Sequence, residues 1–187
     1  MPDVGVLALQ GDVREHVGIL RSLGAEVREV KRPEQLESLD ALVIPGGEST
    51  TIGKMTVRFG MMESLKSVIS EGLAVYGTCA GMILLSNALA DGDQPLLGVL
   101  DVVVRRNAFG RQNESFESKL AIDGFDTPFH AVFIRAPWIE KVGGEVEVLS
   151  VVEDHPVMVR QDKILATSFH PELTGDGRIH QMLLDMV

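Results

Sequence analysis

Cysteine is almost absent from this sequence, which has a single one, Cys79, among its 187 residues. One cysteine excludes the internal disulfide framework that is typical of small secreted domains. Long apolar runs are also missing, because none approaches the roughly 18 residues of a membrane-spanning helix. The first residues, Met1 to Val4, lack the basic region of a signal peptide and are typical of the start of a strand. Together these absences favour a cytoplasmic protein.

Basic residues are the minority among the charged side chains: 17 Lys and Arg stand against 27 Asp and Glu, which gives a formal net charge of −10. A surface of this sign repels phosphate backbones, so we expect no nucleic-acid partner, and no feature indicates a membrane partner. The apolar fraction of 45% is ordinary for a globular protein. The length suits one domain with a substantial core, and we expect residues 1–187 to form it.

The one cysteine occupies a distinctive local sequence, Tyr-Gly-Thr-Cys-Ala-Gly-Met over residues 76–82. An apolar run over 73–76 precedes it and another over 82–85 follows it, which predicts a strand, a tight turn and a helix. Small residues around the thiol let the backbone turn sharply and let the helix pack close to the strand. The thiol would then stand at the positive N-terminal end of a helix, where the thiolate is favoured.

Strand and helix patterns alternate through the first half of the chain. Short apolar runs predict strands at 4–9, 41–44 and 73–77, a further strand is expected at 26–30, and helical stripes run over 13–20 and 61–68. Strands separated by helices form right-handed βαβ units, so this half predicts a parallel sheet.

The second half is β-rich until a last helical stripe over 179–186. Strand-like segments lie at 97–104, 115–122, 130–134, 146–152, 157–159 and 164–169. We therefore expect an α/β fold: a three-layer α/β/α arrangement around an open, mostly parallel sheet, with an antiparallel β extension from the second half. Ligands of such sheets bind beyond the carboxyl ends of the strands. Gln10, Gly46 and Cys79 each lie just after a predicted strand, so we expect them at one rim of the sheet.

A histidine and a glutamate far downstream, His170 and Glu172, complete a nucleophilic pattern. If their segment is extended, both side chains face the same side. Glu172 could then hold the imidazole in the right tautomer while His170 faces Cys79, which makes a Cys-His-Glu triad. Metal binding is another interpretation of the pair, but the sequence offers no third ligand at useful spacing, so we expect no metal.

Two glycines after the third predicted strand, Gly46 and Gly47, let peptide N–H groups point into a site. An N–H of Gly47 and the amide of Ala80 could form an oxyanion hole, in which the loss of one donor typically costs about 10²–10³ in turnover. The less specific interpretations are a simple turn for the glycines and a small buried hydrophobe for Cys79. His16 and His180 are expected to be surface or capping residues.

The motifs resemble those of class I, triad-type glutamine amidotransferases, and among these the glutaminase subunits of pyridoxal 5′-phosphate synthases. The elbow at Cys79 and the Phe-His-Pro-Glu segment carry the likeness to the superfamily. The narrower likeness rests on five blocks that lie at 7–12, 45–51, 106–112, 133–137 and 168–174. Two of them, Arg-Asn-Ala-Phe-Gly-Arg-Gln and Phe-Ile-Arg-Ala-Pro, distinguish this branch from glutaminases of other pathways.

This resemblance implies that Cys79 attacks the side-chain amide of L-glutamine and forms a γ-glutamyl thioester, which water hydrolyses to L-glutamate. His170 would move the protons and Glu172 would orient the imidazole. No cofactor is implied. The residues that the resemblance assigns to glutamine binding are Gly47, Glu48, Ser49, Arg106, Ile134 and Arg135. Gln10, at the end of the first strand, would support these residues without contacting the reacting atoms.

The resemblance also implies a partner, the barrel-type subunit of pyridoxal 5′-phosphate synthase. This subunit would receive the ammonia through an internal passage in a hetero-oligomeric complex, and docking would activate the glutaminase. Our hypothesis for the physical route is a reorientation of the peptides of residues 45–47, which glycine permits. Two alternatives stay open. The chain could serve another pathway or act as a γ-glutamyl hydrolase on the same fold, or it could be a non-catalytic module with a reactive thiol. The non-catalytic module is the weaker alternative, because it requires neither proton transfer by His170 nor orientation of the imidazole by Glu172.

Overall fold

The computed structural model describes residues 1–109 and 115–187. Five α-helices lie within these ranges: α1 (Val13–Ser22), α2 (Ser49–Arg58), α3 (Met61–Ser70), α4 (Ala80–Leu85) and α5 (Arg178–Leu184). The same ranges contain twelve strands: β1 (Asp3–Leu7), β2 (Glu26–Val30), β3 (Ala41–Ile44), β4 (Ala74–Thr78), β5 (Ser86–Leu89), β6 (Leu100–Arg105), β7 (Ser115–Leu120), β8 (Phe129–Ile134), β9 (Trp138–Val142), β10 (Glu147–Val152), β11 (His155–Gln161) and β12 (Ile164–Thr167).

A seven-stranded sheet with the order β10-β11-β12-β4-β3-β1-β2 forms the centre of the fold. The five strands from β12 to β2 run parallel, and β10 and β11 continue the sheet in antiparallel fashion. This confirms the mostly parallel sheet with an antiparallel extension that the sequence predicts. The extension does not take up every strand of the second half, because β5, β6 and β9 form one smaller sheet and β7 and β8 form another.

Two apolar clusters cover the two faces of the central sheet and so produce the three layers. Every residue of β3 is buried, and its side chains alternate between the clusters. Leu42 and Ile44 join α2, α3 and α4 on one face. Ala41 and Val43 join α1, α5 and β8 on the other. Because β3 is buried on both faces, its sequence is an unbroken apolar run and does not alternate between apolar and polar residues.

One helix, α2, was not expected, although it begins directly after the glycines of the loop that follows β3. Its sequence contains β-branched residues and a glycine, which have weak helix propensity. The carboxylate of Glu48 caps it, since its oxygens accept hydrogen bonds from the N–H groups of Thr50 at 3.0 Å and of Thr51 at 2.7 Å. Capping and the burial of Ile52 against the core therefore stabilise a helix that periodicity alone does not indicate.

The parallel strands bring their carboxyl ends to one rim of the sheet. Gln10 follows β1, Gly46 and Gly47 follow β3, Cys79 follows β4 and His170 follows β12. The strand β12 lies beside β4 with Thr167 opposite Thr78, so the chain leaves both strands at the same level. Among the residues that the structure describes, no helix is both long enough and apolar enough to cross a bilayer.

Candidate active site

Cys79 occupies a strained turn between β4 and α4. Its backbone has φ 48° and ψ −101°, a region that side chains with a Cβ rarely adopt. The N–H of Cys79 donates to the carbonyl of Thr167 at 2.7 Å, which fixes the turn to the end of β12. The sequence predicts this sharp elbow, and the structure places the thiol at the first residue before the helix.

Two glycines make the elbow possible because the helix runs very close to the sheet. A Cβ on Gly77 would lie 2.7 Å from the carbonyl carbon of Gly81, and a Cβ on Gly81 would overlap the carbonyl oxygen of Ile44. Neither position has room for a side chain, so the small residues that flank the thiol are required by the approach of α4 to β3 and β4.

His170 is held beside this elbow by β8. Its N–H donates to the carbonyl of Val132 at 2.8 Å. The preceding residue, Phe169, has a fully buried ring that anchors this segment in the core. The thiol of Cys79 and the imidazole of His170 border the same cleft, and the thiol contributes to the raised pKa of His170. Cys79, His170 and Glu172 are 7%, 4% and 5% exposed, so the three groups meet in a nearly dry environment.

Glu172 contacts the other nitrogen of the ring: its Oε1 lies 2.7 Å from Nδ1 of His170. The reason given from the sequence, an extended segment, is wrong. The segment is a 3₁₀ turn over Pro171–Leu173, closed by a hydrogen bond from Leu173 N–H to the carbonyl of His170 at 3.3 Å. The turn, rather than a strand, folds the carboxylate back onto the ring.

Burial works against a charged ring at His170, but its hydrogen bonds to Cys79 and Glu172, together with the charges of both, outweigh burial and raise the pKa of His170 to about 10. Burial raises the pKa of Glu172 as well, against the lowering effect of His170. The site therefore favours an imidazolium between the thiol and the carboxylate.

An open cleft of about 400 Å³ lies over the thiol. It is lined by Gln10, Asp12, Gly47, Glu48, Ser49, Cys79, Ala80, Ile83, Arg106, Asn107, Ile134, Arg135 and His170. Every residue that the sequence analysis singles out for catalysis or glutamine binding borders this cleft, apart from the buried Glu172. A larger concavity of about 550 Å³ lies at the opposite end of the strands, near Asp40, Leu73 and Lys163, and holds neither cysteine nor histidine.

The glycine loop after β3 packs directly against the loop that contains Gln10. The carbonyl of Gly46 accepts a hydrogen bond from Asp12 N–H at 3.1 Å, and the Oε1 of Gln10 accepts one from Glu48 N–H at 2.8 Å. The N–H groups of Gly47 and Ala80 have no hydrogen-bond partner within residues 1–109 and 115–187. Two amides that border the cleft are therefore free to bind an oxygen.

Glu48 and Ser49 are already engaged by their neighbours. Besides capping α2, the Oε2 of Glu48 accepts a hydrogen bond from the hydroxyl of Thr51 at 2.6 Å, and this contact lowers the pKa of Glu48. The hydroxyl of Ser49 donates to Oε1 of Gln94 at 3.0 Å. The side chains that face the cleft from this loop are thus held in fixed positions.

Two turns after β6 and β8 close the other wall. The N–H of Ala108 donates to the carbonyl of Ala136 at 3.0 Å, which joins the turn of Arg106 to the turn of Arg135. The guanidinium of Arg106 contacts Oε1 of Gln94 at 3.2 Å, and its buried Nε has no partner in the part of the chain that the structure describes. Residues 110–112 of the same sequence block lie outside the described residues.

Four functional candidates were missed from the sequence. Asp12 has its Oδ2 3.5 Å from Nδ1 of His170, and the donor atoms of Asp12, His170 and Glu172 lie within 4.8 Å of one another. Asp12 is a third group near His170 and Glu172, and the spacing argument did not find it because it lies far away in the sequence, between β1 and α1. Gln94 carried no motif signal.

His16 and His180 are the other two missed residues, and the expectation that they lie at the surface is wrong. Both are fully buried. A signal was present, since His16 lies three residues after Val13 and four before Leu20, on the apolar stripe of α1.

A thiol and an imidazole in one cleft, with a carboxylate 2.7 Å from the ring, at the carboxyl rim of a mostly parallel sheet, define a triad-type enzyme with the α/β fold of class I glutamine amidotransferases. The chain belongs to the SNO glutamine amidotransferase family, whose model matches residues 6–187.

Relatives agree with this assignment along the whole chain. The pyridoxal 5′-phosphate synthase subunit PdxT of Parafrankia sp. (strain EAN1pec) is 61% identical over 100% of this chain and 93% of its own length. The subunit of the same name from Frankia alni is 58% identical over 100% of this chain and 95% of its own.

Solved structures give the same fold. A crystal structure of a glutamine amidotransferase superposes with a TM-score of 0.94 at 54% identity, covering 98% of this chain and 97% of that one. PurLQS from Thermotoga maritima superposes with a TM-score of 0.72 at 16% identity, covering 98% of both chains, and this likeness concerns the fold alone.

Proposed function

We propose that this chain is the glutaminase subunit of a pyridoxal 5′-phosphate synthase, which hydrolyses L-glutamine and passes the ammonia to a synthase subunit. The observation that carries the proposal is the 2.7 Å contact between Glu172 and His170, in the same cleft as the strained Cys79. The names of relatives that are 61% and 58% identical over the full chain supply the pathway. Residues 1–187 are assigned to one glutaminase domain, because strands from both halves build the central sheet.

Cys79, His170 and Glu172 divide the chemistry among them. His170 takes up the thiol proton of Cys79, which gives the imidazolium that the site favours, and the sulfur then attacks the amide carbon of glutamine. His170 then gives this proton to the leaving nitrogen, the carbon–nitrogen bond breaks and ammonia departs. A water molecule, losing its proton to His170, cleaves the resulting thioester to glutamate and the free thiol. Glu172 holds the ring in the Nδ1–H tautomer and stabilises its charge.

The amides of Gly47 and Ala80 are assigned to the oxyanion hole. Both border the cleft beside Cys79 and both lack a partner within the described ranges. Two N–H groups that no other acceptor occupies can stabilise the negative oxygen that develops during the attack and during hydrolysis.

Glutamine carries an α-carboxylate and an α-ammonium group, and the cleft offers charges of both signs. Arg106 and Arg135 are assigned to the carboxylate, because a guanidinium matches its geometry. Gly47, Glu48, Ser49 and Ile134 form the remaining contacts. Gln10 supports them through its hydrogen bond to Glu48 N–H. The cleft volume of about 400 Å³ lies within the range of sites for small molecules.

The chemistry of the product, ammonia, indicates which kind of partner this chain needs. Ammonia is mostly protonated in neutral water and then cannot act as a nucleophile, so the glutaminase is expected to dock on a barrel-type synthase subunit that receives it directly. We assign the complex to the cytoplasm, where a lone catalytic thiol stays reduced.

The test is glutamine hydrolysis by the chain with and without the synthase subunit, using amide-labelled glutamine. We expect faster ammonia release in the complex, incorporation of the label into the pyridine ring, and loss of both signals in Cys79→Ala. Equal rates with and without the synthase would remove the docking step from the proposal. Hydrolysis of γ-glutamyl peptides without a partner would favour a γ-glutamyl hydrolase instead.

A further inference from the structure

Behind the triad lies a buried polar cluster that the proposed mechanism does not use. His16 of α1 and His180 of α5 are both 0% exposed. Nδ1 of His16 lies 2.9 Å from Nε2 of His180, and Nε2 of His16 lies 3.2 Å from the hydroxyl of Thr78 and 3.6 Å from Oε1 of Glu172. The oxygen of Glu172 that holds His170 is therefore also the oxygen that faces His16.

The proton positions in this cluster follow from one unpaired atom. Nδ1 of His180 is buried and has no hydrogen-bond partner among the residues that the structure describes. A buried N–H without an acceptor costs more than a bare ring nitrogen, so the proton of His180 is placed on Nε2. It then donates to Nδ1 of His16, which leaves the proton of His16 on Nε2, directed at Thr78 and Glu172.

The opposite tautomers are disfavoured at both ends of the pair. They would bury an unpaired N–H at Nδ1 of His180. They would also turn the bare Nε2 of His16 toward an oxygen of Glu172, so that two lone pairs face each other at 3.6 Å. Two independent contacts thus select the same arrangement.

Both rings are neutral near pH 7. Burial, with the neighbouring charges of His180 and His170, lowers the pKa of His16 well below its usual value, and burial lowers the pKa of His180 to about 4. The other titratable groups that face Glu172 are Asp12, whose charge raises the pKa of Glu172, and Tyr76, whose pKa burial raises. His16 is thus an uncharged donor next to Glu172, whose ionised form is disfavoured by burial.

We propose that His16 is a positioning residue: its Nε2–H, oriented by His180, stabilises the ionised form of Glu172 and so keeps the His170 ring aligned with Cys79. This inference rests on the proposed glutaminase function. His16 does not border the cleft, so its effect reaches the substrate only through Glu172 and His170.

Two substitutions separate this role from simple packing. His16→Asn keeps an atom near the position of Nδ1, which can still accept from His180, but has no donor near Nε2. His16→Gln places an amide N–H near Nε2. In the complex with the synthase subunit, we expect His16→Asn to lower kcat about 10-fold with KM for glutamine unchanged, because the N–H dipole that lies 3.6 Å from the buried Glu172 carboxylate is lost. The acid limb of the pH profile of kcat should move up by about one unit. His16→Gln should recover most of the loss.

The matched control is His130→Asn, because His130 is an exposed histidine that pairs with Glu117 at 2.7 Å, away from the cleft. It should leave kcat and the pH profile unchanged. If wild-type protein hydrolyses glutamine and His16→Asn is folded with an unshifted acid limb, the positioning role is wrong while the glutaminase function stands. An inactive wild-type complex would instead contradict the proposed function.

A measurement on the unaltered protein does not depend on how the variants fold. Nitrogen-15 chemical shifts and ring couplings distinguish the Nδ1–H and Nε2–H tautomers of neutral histidine. We expect Nε2–H for both His16 and His180. An Nδ1–H tautomer at His16 would overturn the proposal.

Discussion

A Cβ atom on Gly46 would lie 2.5 Å from Cε1 of the His170 ring. The loop after β3 and the imidazole are therefore packed against each other at a position that has no side chain. The backbone of Gly46 does not require positive φ, so an alanine here would alter contacts rather than force a new backbone conformation.

Gly46→Ala should push the His170 ring away from Cys79 and lower kcat/KM for glutamine by about 10², because displacement of a catalytic group by an ångström has a cost of this size. Steady-state kinetics in the complex measure the effect, and circular dichroism checks the fold.

Gly18→Ala is the control, since nothing lies within 4 Å of its added Cβ and it lies in α1. It should keep full activity and gain up to about 1 kcal/mol of stability. Unchanged kinetics in Gly46→Ala would show that the ring does not depend on this contact.

The strained backbone of Cys79 predicts that glycine is more stabilising than alanine at this position. Cys79→Ala and Cys79→Gly should both be inactive, but the glycine variant should be the more stable by about 1 kcal/mol. Relief of about 1–3 kcal/mol of strain outweighs the roughly 0.5–1 kcal/mol entropic cost of glycine. Thermal unfolding should show a Tm about 2–4 °C higher. Ala80→Gly, one residue on in ordinary helical backbone, should lower Tm instead. A less stable Cys79→Gly than Cys79→Ala would mean that the elbow stores no strain.

The pKa of His170 should depend on the thiol. A pKa raised from 6.5 to about 10 means that the contribution of His170 to the free energy of unfolding is complete below pH 6.5 and is lost as pH rises toward 10. Cys79→Ala removes one of the two groups that raise this pKa, so the ring should titrate at a lower pH than in wild type. Histidine NMR titration measures the shift. His180, with its pKa of about 4, is an internal reference whose midpoint should not move. Identical midpoints for His170 in the two proteins would contradict the thiol contact.

Gln94 joins the two walls of the cleft, and its loss should weaken glutamine binding more than the chemistry. Its Oε1 accepts from Ser49 Oγ at 3.0 Å and from Arg106 at 3.2 Å, and its amide N–H donates to the carbonyl of Ser49 at 3.2 Å. Gln94→Leu should raise KM about 10-fold and leave kcat within about threefold, as expected for a contact that serves substrate and transition state alike. Gln181→Leu, in which the lost partner is Asp185 on the surface, should match wild type. A fall in kcat with constant KM would assign Gln94 to the transition state instead.

Much of this molecule follows from local chemistry that a single sequence displays. The strands β2 and β3 agree residue for residue with their prediction: β3 is a run of four apolar residues before a turn, and β2 has two β-branched valines among its charged residues. The elbow at Cys79 could also be predicted from the sequence, since only small residues allow α4 to approach the sheet. The helix α2 could not be predicted, because a glutamate cap and tertiary burial stabilise it.

The sequence by itself determined which reactive groups exist: one thiol, and a histidine and a carboxylate two residues apart. It could not determine that a 3₁₀ turn folds Glu172 onto His170, or that β1 delivers Asp12 to the same ring. Nor could it determine that His16 and His180 contact each other in the buried region behind the triad. The helices α1 and α5 are separated by more than 150 residues and meet only when the sheet has formed. Covalent order fixes local conformation and chemistry, whereas distances between remote groups are fixed only when the sheet brings its strands side by side.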